Sequence, residues 1–284
     1  MRYPRMYLKL GSRTVDLDRP VVMGVLNVTP DSFSDGGDFT DPATALRHAQ
    51  AMAEAGAAII DIGGESTRPG AKPVPESEEI ARVIPLIESL RRECDVAVSV
   101  DTSNPAVMRA AAGAGAEIIN DVYALRREGA LQAAAGLDTA ICLMHMLGTP
   151  ATMQDAPAYR TLPGDVINFL DERINACTAA GISRERLIVD PGFGFGKTDQ
   201  HNLQILMRLE EFSALNLPLL VGLSRKRTLG NLTGRAAKER VAAGVAAAVL
   251  AVERGAHIVR THDVAATVDA LAIVSAARQA DAER

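Results

Sequence analysis

A set of side chains in this sequence shares one placement. Asn27, Asp61, Asp101, Asn120, His145, Asp190, Lys226, Arg260 and His262 each stand at or just beyond the end of a short apolar run. Taken singly, such a residue forms a turn or caps a helix. Taken together they resist that reading, because Lys226 and Arg260 are cations, which helix N-termini disfavour. By chemical type they fall into two groups. Asp101, Asn120, Asp190 and Lys226 mix donors and acceptors as a flat heterocycle requires. A carboxylate accepts two parallel N–H bonds from an amino-pyrimidinone edge, and a lysine donates to its carbonyl oxygen. Such a pocket rejects the wrong ring, which would leave buried polar groups unpaired. Arg260 and His262 alternate along one extended segment, so both face the same way. With Arg68 they make a cradle for phosphate or diphosphate. Asn27 adds a neutral oxygen of the kind that a phosphate-bound Mg²⁺ accepts.

One frame must bring these residues together. The stretch 21–37, VVMGVLNVTPDSFSDGG, starts as a buried strand and reaches Asn27. It then breaks into Pro, Asp, Ser and Gly, each of which favours turns. The plan repeats with apolar runs at 58–60, 96–100, 117–119, 139–144, 187–189, 219–223 and 257–259. Between them the sequence predicts helices at 42–55, from 75 onward, and at 104–113, 128–135, 165–180, 201–212, 236–254 and 264–277. Asp41-Pro42 and Asn104-Pro105 supply starts, and Pro85 is expected to bend or shorten the second helix. Apolar strands joined by crossover helices pair in parallel and are covered on both faces. The fold class is therefore α/β, a single (β/α)8 TIM barrel spanning 1–284, whose ligands meet the carboxyl ends of the strands. An open doubly wound sheet would collect its contacts at one switch point, whereas here nearly every strand ends in a polar residue. Residues 1–18 contain a short N-terminal hairpin expected to cover the barrel bottom. Residues 148–164, with scattered Pro and Thr, read as a long flexible active-site loop.

Composition narrows the function. The 284 residues carry a net charge of −5 and no Trp, with aromatics at 4%. That argues against a nucleic-acid binder, whether by charge or by stacking. Cys94, Cys142 and Cys177 form no C-x-x-C pair and read as reduced thiols of a cytoplasmic protein. Neither a secretory signal nor an apolar run of spanning length is visible, so no membrane partner is expected. The run 192–198, GFGFGKT, imitates a phosphate loop, but the first Gly of a Walker motif would fall on Pro191. H-E-x-x-H and G-x-S-x-G do not occur, which removes zinc proteolysis and serine hydrolysis.

The motifs GVLNVTPDSFSDGG from Gly24, DIGGESTRPG from Asp61, SVDT from Ser99, IND from Ile119, DPGFGFGK from Asp190, SRK from Ser224 and RTHDV from Arg260 run in order over nearly the whole chain. In them the sequence resembles the dihydropteroate synthases, the folate-pathway enzymes targeted by sulfonamides. The resemblance implies joining 6-hydroxymethyl-7,8-dihydropterin diphosphate to 4-aminobenzoate, with diphosphate leaving first and Mg²⁺ as cofactor. It implies a catalytic set of Asp101, Lys226 and Asp190, and a pterin pocket completed by Asn120, Gly222 and Met144. Diphosphate would lie against Asn27, Arg68, Arg260 and His262, with the metal at Asn27. Thr67, Pro69, Phe33, Phe195, Ser224 and Arg227 would surround the aminobenzoate. Where many members carry Ser, this chain has Arg227, so the aminobenzoate carboxylate is expected at Arg227 or at the N-terminus of the following helix. A homodimer through the late helices is also implied. A methyltetrahydrofolate:corrinoid methyltransferase would use a similar barrel but lacks the diphosphate cradle and two mobile Pro/Gly loops. A non-catalytic folate-binding or sulfonamide-decoy protein would lack a site residue, and none is missing.

Overall fold

The computed structural model describes residues 6–11, 13–29, 42–66 and 74–282. Asp41, Phe33, Thr67, Arg68 and Pro69, and with them the roles expected of them, lie outside the described residues.

Strands β1 (Tyr7–Leu10) and β2 (Arg13–Asp16) form an antiparallel hairpin. Strands β3 (Val21–Asn27), β4 (Ile59–Gly63), β5 (Ala97–Asp101), β6 (Ile118–Asp121), β7 (Ala140–Met144), β8 (Leu187–Asp190), β9 (Leu220–Val221) and β10 (Ile258–Thr261) form one 8-stranded sheet in the order β8-β7-β6-β5-β4-β3-β10-β9. The edges meet where Val189 bridges Leu219 in parallel and its N–H donates to the Pro218 carbonyl at 3.0 Å. The sheet is thus a barrel of parallel strands. Helices α1 (Pro42–Glu54), α2 (Glu76–Glu93), α3 (Pro105–Gly113), α4 (Ala130–Ala135), α5 (Gly164–Ala179), α6 (Asp199–Met207), α7 (Arg227–Thr233), α8 (Val241–Glu253) and α9 (Val264–Ala282) follow the strands in turn. Among the described residues no helix is long and apolar enough to cross a membrane.

Side chains alternate across each strand, which divides the core. Ile60, Val98, Ile119, Ile141, Val189, Val221 and Val259 pack outward with the helices. Met23, Ile59, Ala97, Ile118, Ala140, Cys142, Ile188, Leu220 and Ile258 fill the lumen, joined there by Leu8, Leu10 and Leu17. The hairpin therefore closes the bottom of the barrel. Burying each of these leucines contributes about 1.5–3 kcal/mol.

Helix α2 runs unbroken through Pro85. Both Pro85 and Ala81, whose carbonyl it leaves without a helical donor, lie on the exposed face of the helix. The helix expected at 201–212 begins earlier, because the Thr198 hydroxyl accepts from His201 N–H at 3.1 Å. It tightens to a 3₁₀ segment at Leu209–Leu215. The helix expected at 236–254 is a 3₁₀ turn at Ala237–Glu239 followed by α8, since Arg240 turns back to the carbonyls of Arg225 and Arg235. Residues 148–164 are pinned: Met153 is buried, and Gln154 and Tyr159 donate to the carbonyls of Gly194 and Gly196.

Candidate active site

One strand position above the apolar lumen layer, the same inward-facing alternation delivers polar side chains. Asp61, Asn120 and Arg260 meet there. Asp61 Oδ2 accepts from Arg260 Nε at 2.6 Å and from Asn120 Nδ2 at 3.1 Å. Arg260 Nη2 donates to Asp101 Oδ2 at 2.8 Å, and Asp101 lies in register beside Asn120. Gly222 faces the Arg260 stem: a β-carbon there would stand 3.9 Å from Arg260 Cβ. Arg260, expected in a cradle with His262, reaches Asp61 and Asp101 with two of its nitrogens. Its guanidinium is directed into the barrel and joins the ring-binding group. The cause is barrel stagger, which sets the β10 exit against the carboxylates of β4 and β5.

One guanidinium serves two buried carboxylates. Burial first, then the neighbouring Asp61 charge, push the Asp101 carboxyl up to about 7, against the pull of Arg260. Burial also raises Asp190, against the Gly192 N–H and Lys226 that favour its ionised form. Lys226 is depressed to about 8 by burial and then by Arg260. Arg260 is held firmly protonated, the loss of solvation outweighed by Asp61 and Asp101.

The turn after β8 completes the wall. Asp190 Oδ1 accepts from Gly192 N–H at 2.7 Å. Gly192 has φ +69°, and a β-carbon would lie 1.9 Å from the His145 carbonyl, so no other residue fits. Phe195 places its ring 4.2 Å from Lys226 Nζ, a cation–π contact. Met144, in register with Asp190, packs in a small apolar cluster with Val122, Met146 and Met153, against which Phe195 also packs.

Ser224 Oγ lies 3.1 Å from His262 Nδ1 and accepts from His262 N–H. Arg225 at φ +58° pairs with Asp263 at 2.7 Å, and Arg240 donates to the carbonyls of Arg225 and Lys226. Arg227, the first residue of α7, donates to Gln154 Oε1 at 3.0 Å. Asn27 ends β3 beside Gly63, whose absent side chain leaves the Asn27 amide oxygen room. The structure so brings Asp101, Asn120, Asp190, Lys226, Gly222, Met144, Phe195 and Arg260 to one end of the barrel, with Asn27, Ser224, Arg227 and His262 on its rim. Sequence reasoning missed Asp61 as the second partner of Arg260, although its place at a strand end was a signal. It missed Arg240 altogether, for which no signal existed.

A sequence profile of the family described as pterin binding enzyme matches residues 23–262. The chain is 51% identical over 271 residues to the dihydropteroate synthase of Escherichia coli K12, covering 95% of this chain and 96% of the relative. It superimposes with a TM-score of 0.94 and 52% identity on the Yersinia pestis dihydropteroate synthase in a sulfonamide drug complex, covering 96% of this chain and 100% of that one. With the Xanthomonas albilineans dihydropteroate synthase bound to 4-aminobenzoic acid the TM-score is 0.91 at 52% identity, covering 97% and 99%. By the profile, by identity along nearly its whole length and by the barrel itself, this chain belongs to the family of pterin binding enzymes.

Proposed function

We propose that this chain catalyses the dihydropteroate synthase reaction, in which the amine of 4-aminobenzoate replaces diphosphate on the methylene of 6-hydroxymethyl-7,8-dihydropterin diphosphate. One observation carries the reading: Asp101, Asn120, Asp190 and Lys226 crowd one barrel end with Arg260 among them. Asp190 takes the amino-pyrimidinone edge, Lys226 donates to the ring carbonyl, and Asn120 fills the remaining edge. Of the five Arg260 donors, Nε and one on Nη2 are occupied by Asp61 and Asp101, which leaves the others for the substrate between ring and diphosphate. His262 and Asn27 extend that surface along the rim. Departure of diphosphate leaves positive charge on the pterin, which Asp101 offsets before the arylamine attacks. Phe195 and Ser224 line the arylamine's approach. The sulfonamide-bound relative supports competition by sulfonamides with 4-aminobenzoate here.

Mg²⁺ fits this arrangement as a passenger of the diphosphate. Among the described residues no group of three or more His, Cys, Asp or Glu could hold a metal alone. The Asn27 oxygen would be the protein's share, with diphosphate and water supplying the rest. The ion would neutralise charge on the leaving group.

The assay is diphosphate release with and without 4-aminobenzoate. Dihydropteroate formed together with diphosphate when the arylamine is present supports the reading, and an absence of both products overturns it. The acid–base setting adds a prediction. Substrate capture needs Asp101 ionised and Lys226 protonated, so kcat/KM for the pterin substrate rises as pH climbs through about 7 and falls beyond about 8. A pH–rate profile flat from 6 to 9 contradicts it. Arg227→Ser should raise the KM for 4-aminobenzoate by roughly 3- to 10-fold, the worth of one charge-assisted hydrogen bond at an exposed site. An unchanged KM would move the carboxylate to the helix backbone.

The assembly is proposed to be a homodimer. Leu203 and Met207 on α6, Leu232 after it on α7, and Val241 and Leu250 on α8 are exposed apolar side chains on successive elements. Apolar side chains left exposed on these elements are the kind that a second copy would cover. Leu250→Glu is expected to halve the mass in sedimentation, and a monomeric parent protein excludes the dimer. Unpaired thiols at Cys94, Cys142 and Cys177 support a reducing, cytoplasmic setting.

A further inference from the structure

The run 192–197, GFGFGK, has so far been credited only with Gly192 and Phe195. Its last side chain is directed into the protein. Lys197 is 1% exposed, its Nζ 2.9 Å from His145 Nδ1, and it donates to the carbonyls of Gly192 at 2.9 Å and Phe195 at 3.1 Å. Three acceptors match the three protons of an ammonium. His145 is kept neutral, pushed down to about 2 by burial and by Lys197, so Nδ1 is free to accept. It packs edge-on against Phe169 at 4.9 Å and lies 5.9 Å from Tyr159. The Tyr159 hydroxyl donates to the Gly196 carbonyl at 2.7 Å, and Gln154 to that of Gly194 at 2.8 Å.

The carbonyls of Gly192, Gly194, Phe195 and Gly196 are therefore each held by a side chain. Phe193 anchors the turn in the core and Gly194 N–H donates to Asn202 Oδ1 at 2.9 Å, while glycine at every second position leaves the carbonyls to be fixed by side chains from elsewhere. Burying an amine here is unfavourable, and Lys197 is depressed to about 7 by loss of solvation. The fold nonetheless keeps it, with its protons directed at the turn. What the turn presents on its other side is the Gly192 N–H to Asp190 and the Phe195 ring to Lys226.

We propose that Lys197 is a positioning residue for the pterin pocket: clamped between His145 and the carbonyls of Gly192 and Phe195, it fixes the turn that orients Asp190 and Lys226. The proposal rests on the reaction proposed above but is read without turnover. The probe is 6-hydroxymethylpterin, titrated calorimetrically into the parent protein, Lys197→Met and Lys197→Ala, beside their melting curves. Each variant should bind at full stoichiometry with a Kd raised roughly tenfold or more, the cost of misplacing one charged contact. Methylammonium should restore much of the affinity to Lys197→Ala, and tetramethylammonium, which cannot donate, should not. A parental Kd, or lost stoichiometry at parental Kd without amine rescue, overturns the proposal, since that is what damage to the fold alone would give. Where neither variant folds, Tyr159→Phe frees the Gly196 carbonyl on the same turn and should raise the same Kd several-fold; a parental value there overturns it equally. If the parent binds the probe but releases no diphosphate, the reaction reading fails while the Lys197 comparison stands.

Discussion

Asp190→Asn is expected to lower kcat/KM by on the order of 10⁴-fold, because a site built to hydrogen-bond a polar edge discriminates on that scale when the pairing is lost. An amide presents one acceptor and one donor where the pterin edge offers two donors, so one N–H faces another. The Gly192 N–H keeps an oxygen to donate to, which leaves the turn in place. Stability should move the opposite way. Burial raises the Asp190 pKa above its unfolded value, so its contribution is full at acid pH and is lost as pH rises through the folded value. The amide variant lacks that decline, so its advantage in urea unfolding should widen as pH rises from the unfolded carboxyl value of about 3.9. An Asp190→Asn protein that is active, or one that loses stability toward alkaline pH as the parent does, contradicts the assignment.

Arg260→Met strikes at two carboxylates together. Asp61 is fully buried and Asp101 nearly so, and Arg260 is the cation that each touches. Removing one member of a buried ion pair costs about 3–5 kcal/mol. Catalytic loss should reach roughly 10²–10³-fold, the scale of one preorganised electrostatic contact. The penalty depends on pH. Without its counter-ion Asp101 takes up a proton more readily still, so the variant is least impaired at acid pH and most impaired as pH rises through the carboxyl's folded pKa. Adding Asp61→Asn removes one stranded charge and should recover part of the stability without restoring activity. Unfolding curves for single and double variants at pH 5.5 and 8.5 check this, and a single variant as stable as the parent at pH 8.5 excludes it.

How far the sequence revealed this site varies by residue. The strands were legible because parallel barrel strands are apolar on both faces, and Val96–Val100 or Leu187–Val189 can hardly be anything else. Asp101, Asn120, Asp190 and Lys226 were legible as a group by chemical type and common position. Arg260 was legible as functional but not in its partners: period-two alternation shows that it faces inward, while the opposing carboxylates follow from strand stagger, which no local pattern records. Pro85 misled because its cost depends on whether the freed carbonyl meets solvent. Residues 148–164 looked loose because the donors pinning them, Gln154 and Tyr159, reach acceptors some forty positions away. Lys197 was set aside as part of a spurious phosphate loop, since sequence spacing cannot tell an inward amine from an outward one.

The leucines that the N-terminal hairpin pushes into the lower lumen make the barrel a blind well. Whatever reaches the Asp61–Asn120 level must enter past the rim and depart by the same opening. Two reactants sharing such a shaft form a queue in which the deeper guest arrives first, and the conjugate that unites them cannot leave until the upper part is clear. For reactants that share such a shaft, a closed far end is enough to set an order of entry without any moving lid.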